Sequence, residues 1–261
     1  MSGGAIVSRM KVLIPVTGAF HGRLRVRRSS GHLDTEGLDR VLSEPSARAI
    51  SLAKQLQAEG AELVAVHVDK GGGEDILREA LAHGVDQGIL VEGAGALASD
   101  ASVRAATIAD VYTQHGPFDL VIGPARSEFA GFSGTLAAVA GHLDLPCAVG
   151  VTSVRSDDDA ATIGYKSIFG QYELKVPRPA VLLAGDVAPS YPTSWGIQDA
   201  YEGRGILRVQ VDQYATSPAQ TKRVRIEPNK PVAESMEEVD GSTLIRRLRS
   251  RTLLPEQGGS A

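Results

Sequence analysis

The chain has 261 residues, 43% of them hydrophobic and 5% aromatic, with a formal net charge of −4 at pH 7. That length fits one large domain with an appendage, and the acidic balance gives no general pull toward nucleic acid or a membrane surface. A single cysteine, Cys147, excludes an intrachain disulfide framework and a cysteine-built zinc site; following Pro146 in an apolar run, it reads as a buried structural thiol. No window reaches the ~18 apolar residues of a membrane span. The opening MSGGAIVSRM lacks the apolar run of a signal peptide, so a cytoplasmic protein is expected (mitochondrial matrix if eukaryotic).

In chain order, KVLIPV (11–16) reads as a short buried strand. A polar, arginine-rich connection follows over 17–44; it is long for a structureless loop and therefore functional or partly a hairpin, because RLRVR alternates. SEPSARAISLAKQLQAEG predicts a helix capped by Ser43, with Pro45 in the first turn and Gly60 as its stop. ELVAVHV (62–68) is strand-like, 72–84 helical, QGILVE (87–92) a strand, 99–116 a helix, FDLVIG (118–123) a strand and 134–146 a helix. CAVGVTSV (147–154) predicts a further strand, 161–176 an antiparallel ribbon, and PAVLLAG (179–185) a last sheet strand. Alternating strands and helices of these lengths imply crossover connections and a parallel sheet. The fold class expected is therefore α/β, with one domain over 1–206. Regular signals fade from 186. YPTSWGIQDAYEG (191–203) reads as a loop around Trp195, the only tryptophan. The polar stretch after 206 ends in a short amphipathic run with Leu244, Ile245, Leu248 and Leu253 against arginines. It has little core of its own, so it is disordered or laid across another chain.

In an open parallel sheet, ligands collect at the carboxyl ends of strands. Three such ends stand out: Val16-Thr17-Gly18; His67-Val68-Asp69, followed by Gly71-Gly72-Gly73; and Gly123-Pro124-Ala125, running to Gly131-Phe132-Ser133-Gly134-Thr135 at a helix start. Small residues before a helix let backbone amides approach an anion, a phosphate foremost. Neither GxGxxG nor GxxxxGK[ST] occurs. The six histidines have no paired-ligand spacing, Asp157-Asp158-Asp159 reads as a solvated turn, and no acid–base pair or nucleophile stands out. The chain is thus read as non-catalytic by itself.

KVLIPV, ARAISLAKQLQAEGAELVAVHV, EDILREALAHGVDQGILVE, FDLVIG, LAAVAGHLDLP and PRPAVLLAG, in this order and spacing, resemble the beta (small) subunit of electron transfer flavoprotein. The resemblance implies a Rossmann-like domain of the adenine nucleotide alpha hydrolase type. It implies pairing with an alpha subunit that holds most of a redox-active FAD, a structural AMP (or a second FAD) in this subunit, and electrons passed from a flavin-dependent dehydrogenase to a downstream acceptor. Carried over by position, the nucleotide pocket comprises Pro15, Val16, Thr17, Ser43, His67, Val68, Asp69, Gly123, Pro124, Ala125, Gly131, Phe132, Ser133, Gly134 and Thr135. The family's lysine, glutamine and aspartates are missing from GPARSEFAGFSGT. The loop 190–206 aligns with the family's recognition loop, which makes Trp195, flanked by Pro192 and Ile197, the docking residue for the dehydrogenase; folding of Trp195 onto its own domain is the alternative. The arm 207–261 is expected to contact the alpha subunit. A stand-alone nucleotide-binding module of the universal-stress type shares the same strand–helix pattern.

Overall fold

The computed structural model describes residues 9–22, 24–27, 33–69, 73–92, 100–128, 131–157, 159–202, 205–210 and 240–250. In chain order the elements are β1 (Lys11–Pro15), β2 (Gly18–His21), β3 (Arg25–Val26), β4 (Leu33–Asp34), β5 (Asp39–Leu42), α1 (Glu44–Gln57), β6 (Glu62–Val68), α2 (Glu74–Ala82), β7 (Gln87–Glu92) and α3 (Ala101–His115). There follow β8 (Leu120–Pro124), β9 (Arg126–Ser127), β10 (Gly131–Phe132), α4 (Thr135–Leu143), β11 (Cys147–Ser156), β12 (Ala160–Ser167), β13 (Gly170–Pro177), β14 (Ala180–Ala184), α5 (Ser194–Glu202), β15 (Ile206–Gln210) and α6 (Gly241–Ser250). Among the described residues, nine strands form one sheet in the order β13-β12-β11-β14-β8-β1-β6-β7-β15. From β11 to β15 every neighbouring pair is parallel, while β12 and β13 extend the sheet as an antiparallel ribbon.

Alternation along the strands sends side chains to two separate cores. Val12 and Ile14 of β1 pack with Ile50, Leu52 and Leu56 of α1 and with Leu77 and Leu81 of α2. Leu13 packs on the opposite face with Ile108 of α3 and Val139 of α4. With helices on both faces, the central strands are near-continuous apolar runs, which is why LVAVHV and AVLLA carry no polar alternation. The chain leaves β1 toward β6 and β7, then returns through α3 to β8 on the other side of β1. Strand order therefore switches between β1 and β8, and a crevice opens at their carboxyl ends.

The long connection after β1 is a hairpin. β2 pairs antiparallel with β5, and β3 pairs antiparallel with β4 inside it. α1 starts as its sequence dictates: Ser43 accepts from the Ser46 amide, and Pro45 occupies the first turn. Three expectations are corrected. The segment around Trp195 is not a loop but includes the helix α5, whose amides at Gly196 and Ile197 donate to the Thr193 hydroxyl and carbonyl. The domain does not end at 206, because β15 continues the sheet beside β7 to Gln210. Cys147 opens β11 and is exposed rather than buried. The arm residues 211–239 and 251–261, Leu253 included, lie outside the described residues.

Candidate functional site

Three chain crossings converge at the switch point. β1 ends at Pro15, and the Val16 amide donates to the Val66 carbonyl at 2.9 Å, fixing the exit of β1 against β6. Thr17 is then gripped by the start of α1: its amide donates to Ser46 Oγ, and its hydroxyl bonds Ser43 Oγ, both at 2.9 Å. On β6, the buried ring of His67 uses Nδ1 to donate to the Val16 carbonyl at 2.9 Å, while Nε2 lies 3.4 Å from Asp69 Oδ2. Asp69 is buried as well. Its amide donates to the Val91 carbonyl, and its carboxylate accepts from Arg40 Nη2 at 2.5 Å. Gly73, ahead of α2, has φ +91°, and a Cβ there would stand 2.6 Å from His67 Cδ2 and 3.0 Å from Asp69 Oδ2. Only glycine lets the helix come this close.

The third crossing is the β8–α4 connection. Gly123 is closed on one side by Leu136, whose Cδ1 lies 2.3 Å from where a Cβ would stand. Ser133 donates its amide to the Ala125 carbonyl at 3.2 Å, and its hydroxyl faces Thr135 Oγ1 at 3.2 Å. Between these crossings lies a cavity of about 210 Å³. Pro15, Val16, Thr17, His67, Val68, Asp69, Pro124, Ser133 and Thr135 line it, so the structure gathers nine of the residues nominated from sequence.

The others sit differently. Ser43 is buried behind Thr17 as the α1 cap, Gly123 is packed under Leu136, and Gly134 is an exposed helix cap. Ala125 lines a neighbouring groove with Pro45, Arg48, Val149 and Asp186. Gly131 and Phe132 form the short strand β10 against β9. Sequence reasoning missed Arg40, Arg104 and Arg126, which also line the cavity. The arginine-rich connection was the one visible hint of the first of these. Trp195, Pro192 and Ile197 lie away from this cavity, on and just before α5, and Trp195 is 76% exposed.

The site's chemistry is that of an anion binder: guanidinium groups and hydroxyls surround an apolar slot made by Val66, Ile108 and Leu136. Among the described residues, no group of His, Cys, Asp and Glu is placed to hold a metal ion, and no helix is long and apolar enough to cross a membrane. The electron transfer flavoprotein domain model matches residues 30–187, more than half of the chain. Electron transfer flavoprotein subunit beta of Syntrophomonas wolfei is 26% identical over 231 residues, covering 84% of this chain and 90% of that protein. The Bacillus subtilis subunit beta is 26% identical over 196 residues, covering 73% and 76%. The Caffeyl-CoA reductase-Etf complex subunit CarD of Acetobacterium woodii is 24% identical over 183 residues, covering 69% and 70%. The matched span runs from the hairpin through β14, and so contains the His67–Asp69 and β8–α4 walls of the cavity. On fold, switch-point cavity and these matches together, the chain belongs to the electron transfer flavoprotein family, as a divergent member of its beta subunits.

Proposed function

We propose that this chain is the small subunit of a two-subunit electron carrier. A large alpha subunit holds a redox-active FAD, and this chain contributes a structural adenine nucleotide, AMP, in the cavity between β1, β6 and β8. Electrons come from a flavin-dependent dehydrogenase and leave to a downstream acceptor. The chain's own residues position and do not react: Thr17, Ser133 and Thr135 offer hydroxyls to the ligand, and the apolar slot takes a flat base. The observation that carries the reading is the convergence of the three strand ends on one cavity with cationic walls.

Two exposed apolar features support the need for partners. The turn between β12 and β13 holds Ile168 and Phe169 at 93% and 83% exposure, continuous with Tyr172 and Leu174 on the edge strand β13. Apolar side chains so placed mark an interaction surface, and we assign this margin to the alpha subunit. Trp195, with Ile197 beside it, is assigned to the dehydrogenase, and tryptophan is prominent among interface hot spots. Co-expression with the alpha subunit, followed by gel filtration, flavin counting and nucleotide extraction, tests the reading. A yellow one-to-one complex releasing one adenine nucleotide is expected; a colourless monomer that ignores the alpha subunit would overturn it.

A further inference from the structure

The sheet ends on one side at β13, which pairs with β12 and, among the described residues, with no further strand. The ladder fixes which way the β13 backbone points. The Arg178 amide donates to the Asp159 carbonyl at 3.1 Å, and bonded and non-bonded pairs alternate along antiparallel strands. Val176, Leu174 and Tyr172 therefore exchange backbone bonds with Ala161, Ile163 and Tyr165. The amides and carbonyls of Gln171, Glu173 and Lys175 point outward, away from β12. Side chains divide between the two faces with the same period. Tyr172 and Leu174 are exposed on one face, where Tyr172 stacks on Tyr165 with ring centroids 5.3 Å apart. Glu173 and Lys175 stand on the other, in surface ion pairs with Arg155 and Asp157.

We propose that this chain, on its own, pairs with a second copy of itself, β13 against β13 in antiparallel register about Leu174, so that one sheet runs through both molecules. A lysine on an edge strand ordinarily deters pairing, but here a carboxylate stands two residues before it. That spacing makes the strand complementary to itself. A two-fold axis through Leu174 sets Glu173 opposite Lys175 of the second copy, and Lys175 opposite its Glu173. Both positions point their backbone outward, so the charged pairs also exchange backbone bonds. On the other face Leu174 meets Leu174 and Tyr172 meets Val176, while Pro177, which has no amide to give, falls at the end opposite Gln171. Moving the axis by one residue sets Glu173 against Glu173 or Lys175 against Lys175, and like charges directly opposite are destabilising. A strand of arbitrary sequence brings no such match, whereas a second copy brings it twice. The contact is isologous and closes at two copies. The alpha subunit, assigned above to this same margin, then displaces a copy; the self-pairing does not depend on that assignment.

The test is sedimentation of the full chain alone, from nanomolar to high micromolar concentration. The parent is expected to pass from monomer to dimer. Glu173→Lys sets lysine against lysine at both charged pairs, and Lys175→Glu sets glutamate against glutamate. Each is expected to raise the dimer dissociation constant about tenfold or more. An equimolar mixture of the two variants is expected to recover the dimer, because every lysine then faces a glutamate. A parent that stays monomeric throughout, variants that dimerise as the parent does, or a mixture that recovers nothing overturns the pairing. Adding the alpha subunit separates this proposal from the assignment of the margin. A one-to-one complex without the β13 pairing is expected. A complex that keeps two copies joined through β13 leaves the self-pairing standing and moves the alpha subunit off this margin.

Discussion

At the scale of single residues, the cavity depends on positions that tolerate no alternative. Gly73 has φ +91° and no room for a Cβ beside His67 and Asp69, so Gly73→Ala combines backbone strain with a clash. A loss of roughly 1–3 kcal/mol is expected in denaturant unfolding, together with weaker nucleotide retention. His83 gives a pH-dependent counterpart. It is buried at the end of α2, and burial first, then the nearby Lys54 charge, holds its imidazole below the ordinary value. The unfolded chain therefore takes up a proton before the folded one does. Stability is undiminished above about pH 6.5 and falls as the pH drops from there through the lower folded value. His83→Gln should show less loss of urea resistance between about pH 7.5 and pH 5.5 than the parent; equal loss would assign the slope to other groups. Much of the site was legible as residues because strand ends before glycines are visible in sequence. The arginines were not. Arg104 lies in a helix and Arg126 in a two-residue strand, and only the tertiary fold brings them opposite Asp69.

At the scale of elements, apolar periodicity placed β6 and β7 to the residue and the main helices to within a turn, because each must bury one face against the sheet. Helix α5 escaped because Pro192, Ser194 and Gly196 have the chemistry of a loop. What makes it a helix is tertiary. A Cβ at Gly196 would stand 2.6 Å from the Ala82 carbonyl, Ala200 is fully buried, and Arg78 donates to the Ala200 carbonyl at 2.7 Å. β15 was hidden for a similar reason: among the described residues its five residues pair with β7 alone, and Leu207 and Arg208 remain exposed. The hairpin over the cavity is tied down by Glu79 of α2, which accepts from the Leu42 amide of β5. Burial, outweighing that hydrogen bond, raises the Glu79 carboxyl above its ordinary value. A raised carboxyl contributes stability that is complete below its unfolded value and is lost as the pH climbs through the folded value. Glu79→Gln keeps an acceptor without a charge to bury, so it should match or exceed the parent in urea at neutral pH. Glu79→Ala orphans the Leu42 amide and should cost about 1–3 kcal/mol.

At the scale of the molecule, apolar surface left in water defines where other chains belong. Trp195→Ala removes a mostly exposed side chain and should leave thermal unfolding unchanged. It should weaken binding of the cognate dehydrogenase by about 2 kcal/mol, read from electron-transfer kinetics; unchanged kinetics would remove Trp195 from that role. Phe169→Ser should likewise fold normally and lower the affinity for the alpha subunit, read by gel filtration at falling concentration.

The two margins of the sheet are treated differently. The β15 side is short and guarded by Arg208, which is clamped between Glu74 and Glu92. The β13 side is eight residues long and bears tyrosine and leucine in the open. A copy made without its mate thus carries an adhesive rim that strand-seeking neighbours can join. Cells producing the two subunits in unequal amounts should find the surplus of this chain in inclusion bodies or in proteolytic turnover, so balanced synthesis is the demand expected of one long strand that no further strand pairs among the described residues.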